Sequence, residues 1–390
     1  MAKQFKKLAF KGAVLAAGLA YLYQQNFKIK TSHYFVENPH FTGGLDGLRI
    51  AQLSDLHFPK QRVASQEIID QVAQARPDLI FMTGDIIQGD QVFDEKELFN
   101  FAKALVDLAP VFAVYGNHEA GSALARRMES VLSAAGVTFL NDQAVSLEFA
   151  GDPITIMGLL EKPNRRFLQG DALRYIQLSP EQIGQPKLLL AHHPEAFLRY
   201  HEDMAKSPDL VFTGHAHGGQ IRLPGLGGLF APGQGEFPKY TAGLFHIPGQ
   251  PQKQIVVSRG IGASAFPVRI NNQPELVVVD LTPAKHALSQ HLQDQIDQAS
   301  QAAGAWSPSQ VHDYFDRTAS QTLQARADLN QNSLGQSPAT QSVAEDFLAE
   351  DPYRVKPSLA GYRLDSKTQD PVTDTVADQY ITIKEEKIIR

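Results

Sequence analysis

Five short polar clusters in this chain carry residue types that hold divalent cations: Asp55-x-His57, Gly84-Asp85, Gly116-Asn117-His118-Glu119, His192-His193-Pro194 and Gly214-His215-x-His217. A Gly-Asp or a His-Pro alone is ordinary turn text. Together the clusters supply carboxylates, imidazoles and one amide oxygen, donors that suit manganese, iron and zinc alike. Carboxylates offset cation charge, neutral imidazoles add none, and an amide such as that of Asn117 completes a ligand set without repelling an anionic substrate. The chemistry that uses this mixture is phosphoryl hydrolysis on two cations about 3.5–4 Å apart. Such a pair requires a bridging carboxylate.

Each cluster ends an apolar run that reads as a strand: "LRIAQLSDLH", "DLIFMTGD", "VFAVYGNHE", "KLLLAHHP" and "DLVFTGHAH". In open α/β sheets, sites assemble in the loops beyond the carboxyl ends of strands, and all five clusters are expected there. Helices are expected over residues 65–75, with Ser65 as a cap and Ile68, Ile69 and Val72 on one face, and over residues 95–108 and 122–135. "VTFL", "AVSLEF" and "ITIMGL" read as further strands. After Gly219 the text is rich in Gly and Pro; with "QIVVSRGIG" and "ELVVVDL" it reads as hairpins and strands of a second sheet.

The 390 residues are 43% hydrophobic with 22 Phe, enough for a sizeable core. A formal net charge of -6 argues against a general nucleic-acid binder, which needs a basic face. With no cysteine, disulfides, zinc-thiolate sites and thiol nucleophiles are excluded.

Both ends differ from the middle. Lys3, Lys6 and Lys7 precede an apolar run that Lys11 interrupts, and Lys28 and Lys30 follow it. Residues 1–30 are therefore expected to be a membrane anchor or signal segment, with a small-x-small cleavage site at Gly18 and Ala20. The uninterrupted run, residues 12–23, is short of the roughly 20 residues of a spanning helix. The other reading is an amphipathic helix packed on the domain. The positive-inside bias puts the N-terminus in the cytoplasm; the expected location is then the bacterial inner membrane with the catalytic unit outside it, the cytoplasmic face being the alternative. Residues 45–282 are expected to form that unit. Residues 283–390, with thirteen Gln and ten basic against fifteen acidic residues, are expected to be a partly disordered tail and a candidate for binding a protein partner.

The order Asp-x-His, Gly-Asp, Gly-Asn-His-Glu, His, Gly-His-x-His resembles the calcineurin-like metallophosphoesterase superfamily over residues 48–281. "GHAHGGQ" running into "QIRLP", and later "SRGIGASAFPVRINNQPEL", look like its branch of membrane-associated bacterial phosphodiesterases. Purple acid phosphatases and nucleases of the superfamily look more distant. The resemblance implies an α/β fold of two β-sheets face to face with helices outside. It implies that Asp55, His57 and His217 hold one divalent ion, that Asn117, His192 and His215 hold a second, and that Asp85 bridges them. His192 rather than His193 is taken as the ligand because the family ligand stands two residues before the proline.

His118 matches the family histidine that contacts the phosphate and assists the leaving group; as an imidazolium it donates a hydrogen bond and a proton. Glu119 is expected in a supporting role. Arg259 and Arg269, beside Asn271 and Asn272, are candidates for binding substrate phosphate, since an Arg fork pairs two oxygens; loop-ordering salt bridges are the alternative. Gly218 and Gly219 are expected to permit close backbone approach beside the site. The implied reaction is attack on phosphorus by a hydroxide shared between the metals. The implied substrate is a phosphodiester or a lipid-linked pyrophosphate such as UDP-diacylglucosamine. A phosphomonoesterase or nuclease on the same scaffold, and a non-catalytic membrane-tethered binding protein, are the rival readings.

Overall fold

Two six-stranded sheets lie face to face in the computed structural model, which describes residues 2–161, 171–262 and 268–284. The first runs, in spatial order, β1 (Lys30–Glu37), β16 (Glu275–Thr282), β2 (Arg49–Leu53), β3 (Leu79–Thr83), β4 (Val111–Val114) and β5 (Thr138–Phe139). The second runs β14 (Gly243–Ile247), β15 (Gln250–Val257), β9 (Leu210–Thr213), β8 (Lys187–Leu190), β7 (Asp152–Gly158) and β6 (Gln143–Phe149). The adjacent strands β2, β3, β4 and β5 are parallel, as are β7, β8, β9 and β15. Their carboxyl ends therefore gather at common edges.

The inner faces interdigitate around Phe81, whose ring meets those of Phe112 and Phe212 at centroid distances of 6.3 and 5.0 Å. Ile50, Leu79, Ile156, Leu188, Leu190, Val256 and Val277 complete this fully buried layer. Covering the outer face of the first sheet are α2 (Ser65–Ala75), α3 (Glu95–Val106) and α5 (Ala125–Ala135), which bury Ile68, Val72, Leu98, Phe101, Met128 and Leu132. A short 3-10 helix, Pro194–His201, covers the second sheet with Phe197 and Tyr200. The short helices α4 (Asn117–Ala120) and α6 (Pro180–Gly184) follow β4 and precede β8. Small hairpins β10 (Arg222–Leu223) with β11 (Gly227–Gly228), and β12 (Phe230–Ala231) with β13 (Gly235–Glu236), fill the Gly/Pro-rich stretch.

Two placements differ from the sequence reading. "ELVVVDL" forms β16 in the first sheet, not the second; it is buried along seven of its eight residues because it lies between β1 and β2. β1 pairs with β16 over eight residues, so the first sheet begins before residue 45.

The N-terminal expectation is corrected. Helix α1 (Ala2–Phe27) is continuous, but among the described residues no helix is long and apolar enough to cross a membrane. Lys6, Lys7 and Lys11 leave an apolar run of about 18 Å at 1.5 Å per residue, against a hydrocarbon core of about 30 Å. This removes the support for a membrane partner through the N-terminal segment, and with it the inner-membrane location and the choice between its two faces. The far end of α1 is instead hydrogen-bonded to the sheet domain: the Tyr21 hydroxyl donates to Asn271 Oδ1 at 2.6 Å, and Asn26 Oδ1 accepts from the Arg269 backbone N–H at 2.8 Å. The tail expected over residues 283–390 lies outside the described residues from residue 285 onward.

Candidate metal centre

Five loops meet where the two sheets present their carboxyl ends, and the backbone ties them together before any side chain is considered. The loop after β2 is stitched to the loop after β3 by Asp55 N–H to the Gly84 carbonyl (3.0 Å) and His57 N–H to the Asp85 carbonyl (3.0 Å). The Gly214 N–H joins the loops after β8 and β9 through the His192 carbonyl at 3.2 Å. At the seam between sheets, the Gln52 side chain donates to Thr83 Oγ1 and to the Thr213 carbonyl, each at 2.9 Å. The glycines in these loops leave no room for more: a Cβ on Gly84 would sit 2.6 Å from Gly116, and one on Gly260 2.7 Å from the Asp55 Cβ.

Asp55, His57, Asp85, His215 and His217 all have positive φ, between 46° and 64°. Such backbone is uncommon outside glycine and costs on the order of 1–3 kcal/mol per residue, and it collects where side-chain direction matters more than local comfort. The result is two adjoining groups of buried ligand atoms, each with its members within 4.8 Å of one another: Asp55, His57, Asp85 and His217 in the first, Asp85, His192 and His215 in the second. Asp85 belongs to both.

Distances show how the groups adjoin. His217 Nε2 lies 3.3 Å from Asp55 Oδ1 and 3.3 Å from His57 Nε2. Asp85 Oδ2 lies 3.3 Å from His192 Nε2 and 3.9 Å from the Nε2 atoms of both His57 and His118. Asn117 presents its Oδ1 to His192 Nε2 at 3.2 Å. Supporting contacts fix these side chains. The His192 Nδ1–H donates to the Thr83 carbonyl at 2.8 Å, which turns Nε2 toward Asp85. Both Asp55 oxygens accept from the His215 N–H at 3.1 Å, and Ser54 Oγ donates to Oδ2 at 2.6 Å. Glu119 accepts from the N–H groups of Asp85, Ile87 and Gly116 at 2.8, 2.9 and 2.8 Å. It shapes the loop and does not join either ligand group.

Charge follows burial. Burial pulls His57 down to about 3 and takes His215 and His217 well below the ordinary imidazole value, so all three are neutral donors. At His192 burial acts the same way, but the Asp85 carboxylate outweighs it and raises the imidazole to about 10. Asp85 is in turn held well below the carboxylate range: its burial is overcome by the neighbouring imidazoles, His192 first. Burial pushes Asp55 up to about 6, against the opposing pull of His192. The donor set fits two divalent cations: His215 Nε2, His57 Nδ1 and His217 Nδ1 are buried with no hydrogen-bond partner, and the two groups share the Asp85 carboxylate.

Two of the remaining candidates touch this cluster: His118, 3.9 Å from Asp85, and His193, whose ring lies 4.1 Å from that of His215 and which forms with His215 and Glu195 a third group of possible ligand atoms within 4.8 Å of one another. His118 edges against the His57 ring at 4.7 Å with its side chain 29% exposed, whereas His57 and His192 are closed off from solvent. His193 lies between Glu161 (3.3 Å) and Glu195 (3.0 Å). Arg269 is buried and donates to the carbonyls of Arg259 and Gly262 at 2.9 and 2.6 Å. Arg259 pairs with Glu275 Oε1 at 2.9 Å. The reading by sequence missed the supporting residues: Gln52 and the Thr83 carbonyl belong to ordinary strands of the first sheet and act through partners on the second, and Ser54 directly follows β2 and donates to Asp55.

Two facing α/β sheets that deliver buried Asp and His donors to a pair of groups sharing one carboxylate define a dinuclear metal-dependent phosphoesterase. The chain belongs to the calcineurin-like phosphoesterase family, which it matches over residues 48–219. It is 32% identical over 244 residues to the phosphodiesterase YaeI of Escherichia coli, covering 60% of this chain and 82% of that one. Similarity extends to the uncharacterized metallophosphoesterase YkuE of Bacillus subtilis, 29% identical over 286 residues, 70% of this chain and 93% of that one. A third relative is the UDP-2,3-diacylglucosamine pyrophosphatase LpxG of Chlamydia muridarum, 26% identical over 294 residues, 60% and 84% of the two chains.

Proposed function

We propose that this phosphohydrolase cleaves phosphorus esters or anhydrides that carry an organic group on both sides, as a phosphodiesterase or a nucleotide-linked pyrophosphatase does. The observation that carries the dinuclear hydrolase in this reading is the placement of Asp85 Oδ2 among imidazoles of both ligand groups, 3.3 Å from His192 and 3.9 Å from His57. The names of two relatives, a phosphodiesterase and a UDP-2,3-diacylglucosamine pyrophosphatase, support the substrate class.

In this reading Asp55, His57 and His217 would hold one divalent cation, Asn117, His192 and His215 would hold the other, and Asp85 would serve both. Bound cations supply Lewis-acid polarisation of the phosphoryl oxygens and an acidified water. Everything else is done by the chain. Thr83 and Asp85 orient the His192 ring, and Glu119 keeps the Asp85 loop against Gly116. His118 is positioned by its own N–H, which donates to Asp85 Oδ1 at 2.8 Å. Its Nε2 lies 3.9 Å from Asp85 Oδ2 on a side chain that is 29% exposed, and from there it donates a proton to the departing oxygen. Arg269, spent on backbone carbonyls, and Arg259, spent on Glu275, fit the loop-ordering alternative better than contact with substrate. Residues 45–282 act as the catalytic unit, with β1 completing its first sheet.

The test is the ratio of turnover on bis-p-nitrophenyl phosphate to that on p-nitrophenyl phosphate by the manganese-loaded full chain, with UDP-diacylglucosamine as a third substrate. Preference for the diester or the pyrophosphate supports the reading. Preference for the monoester assigns the chain to the phosphomonoesterases on this scaffold.

A further inference from the structure

The loop that carries His217 has an unusual backbone. His217, Gly218, Gly219 and Gln220 all have positive φ, at 46°, 63°, 76° and 65°. Four successive residues in this region, two of them not glycine, do not hold themselves in place by local preference. Something outside the turn must bind it.

Two side chains do: Arg222 donates to the Gly218 carbonyl at 2.8 Å, and Asn272 holds the ends. Asn272, fully buried, donates through Nδ2 to the His217 carbonyl at 2.7 Å and to the Gln220 carbonyl at 3.0 Å, so a single amide spans both ends of the turn. Gly218 is shaped to admit it: a Cβ there would sit 2.7 Å from the Asn272 Cγ. Asn272 is held in turn by α1. Its backbone N–H donates to Gln25 Oε1 at 2.9 Å, and Asn26 brackets Arg269 by accepting from its N–H at 2.8 Å and donating to its carbonyl at 3.1 Å. Gln25 and Asn26 are buried, unlike the rest of α1, which is exposed wherever its side chains are described.

We propose that Asn272 is a positioning residue for His217, and that Gln25 at the end of α1 holds Asn272 in register, so the N-terminal helix is a working part of the ligand group of Asp55, His57, Asp85 and His217. The proposal rests on the dinuclear reading above and adds an asymmetry to it. Among the described residues neither His192 nor His215 is hydrogen-bonded to α1: His192 is fixed by Thr83, and the His215 N–H by Asp55. Loss of the clamp therefore weakens one cation and spares the other.

The experiment is titration of the metal-stripped full chain with Mn(II), free manganese being read by its paramagnetic resonance signal, alongside thermal unfolding. Wild type takes up two Mn(II). In Asn272→Ala and in Gln25→Ala one of the two binds about 10–100-fold more weakly, the scale typical when a residue supporting a ligand is lost, and the other is unchanged. Gln25→Glu keeps the oxygen that accepts from Asn272 and restores wild-type affinity. A purely structural role for the contact would lower the unfolding temperature and weaken both ions equally, in Gln25→Glu as in Gln25→Ala, and that pattern overturns the proposal. Two wild-type affinities in both alanine variants overturn it as well. A wild-type chain that binds fewer than two Mn(II) overturns the dinuclear reading itself.

Discussion

A cation needs neutral imidazole, and three of the four histidines in the two ligand groups are kept neutral first by burial and then by neighbouring positive groups. His192 differs, because the adjacent Asp85 carboxylate raises it to about 10. At pH 8 its Nε2 carries a proton that a metal must displace. The sign is fixed: metal binding releases this proton, and affinity strengthens as pH rises toward 10. Calorimetric titration with Mn(II) at pH 8, in two buffers of different ionisation enthalpy, should report about one proton released per pair of ions bound, since ligands deprotonate on binding. Equal heats in the two buffers contradict this. His118→Ala makes a complementary prediction: kcat falls by about 10²–10⁴, the usual worth of a positioned acid, while two Mn(II) still bind. The ligand types were legible in the sequence because Asp, His and Asn recur directly after apolar runs. The three N–H groups that Glu119 accepts were not, since they come from Asp85, Ile87 and Gly116 in two separate loops.

Elements explain which boundaries could be read. Helix α2 runs over Ser65–Ala75 as its apolar spacing predicts, but Ser65 is its first residue and not its cap: Ala64 holds the N-cap position and no side chain caps the helix there. Helix α5 begins at Ala125, later than the expected 122, because Ser122 is taken up in a turn: its hydroxyl accepts from the Leu124 N–H at 3.0 Å and donates to Asp90 at 2.9 Å. β16 was assigned to the wrong sheet for a physical reason. An apolar run shows that a strand is buried, not which neighbours bury it, and β16 returns to pair with β1 and β2. Capping carries its own prediction. Asp94 accepts from the N–H groups of Lys96 and Glu97 at 2.8 and 3.0 Å at the start of α3. Asp94→Ala should cost about 1 kcal/mol in urea unfolding. Turnover should stay at the wild-type level, because α3 lies on the outer face of the first sheet.

At the scale of the whole molecule, the metal centre belongs to neither sheet. Asp55, His57 and Asp85 follow strands of the first and His192, His215 and His217 strands of the second, so the site exists only while the two stay packed. Phe81→Ala opens the layer between them and should cost roughly 3–5 kcal/mol, the range for a buried Phe. Mn(II) release and loss of secondary structure should then share one midpoint on heating; separate midpoints contradict a site shared by the sheets. The N-terminal helix shows what composition hides. Its lysines and apolar run read as an anchor, whereas its buried end was unreadable because the partner residues lie near position 270, remote in sequence. The central claim is a dinuclear, metal-dependent hydrolase, and the most direct measurement is bis-p-nitrophenyl phosphate turnover by the metal-stripped full chain as Mn(II) is added in steps. The expected result is no turnover at the start, a rise that saturates at two equivalents per chain, and in Asp85→Asn a loss of about 10²-fold or more, the bridging ligand being gone. Turnover without added metal, saturation at one equivalent, or an Asp85→Asn chain as active as wild type would contradict it.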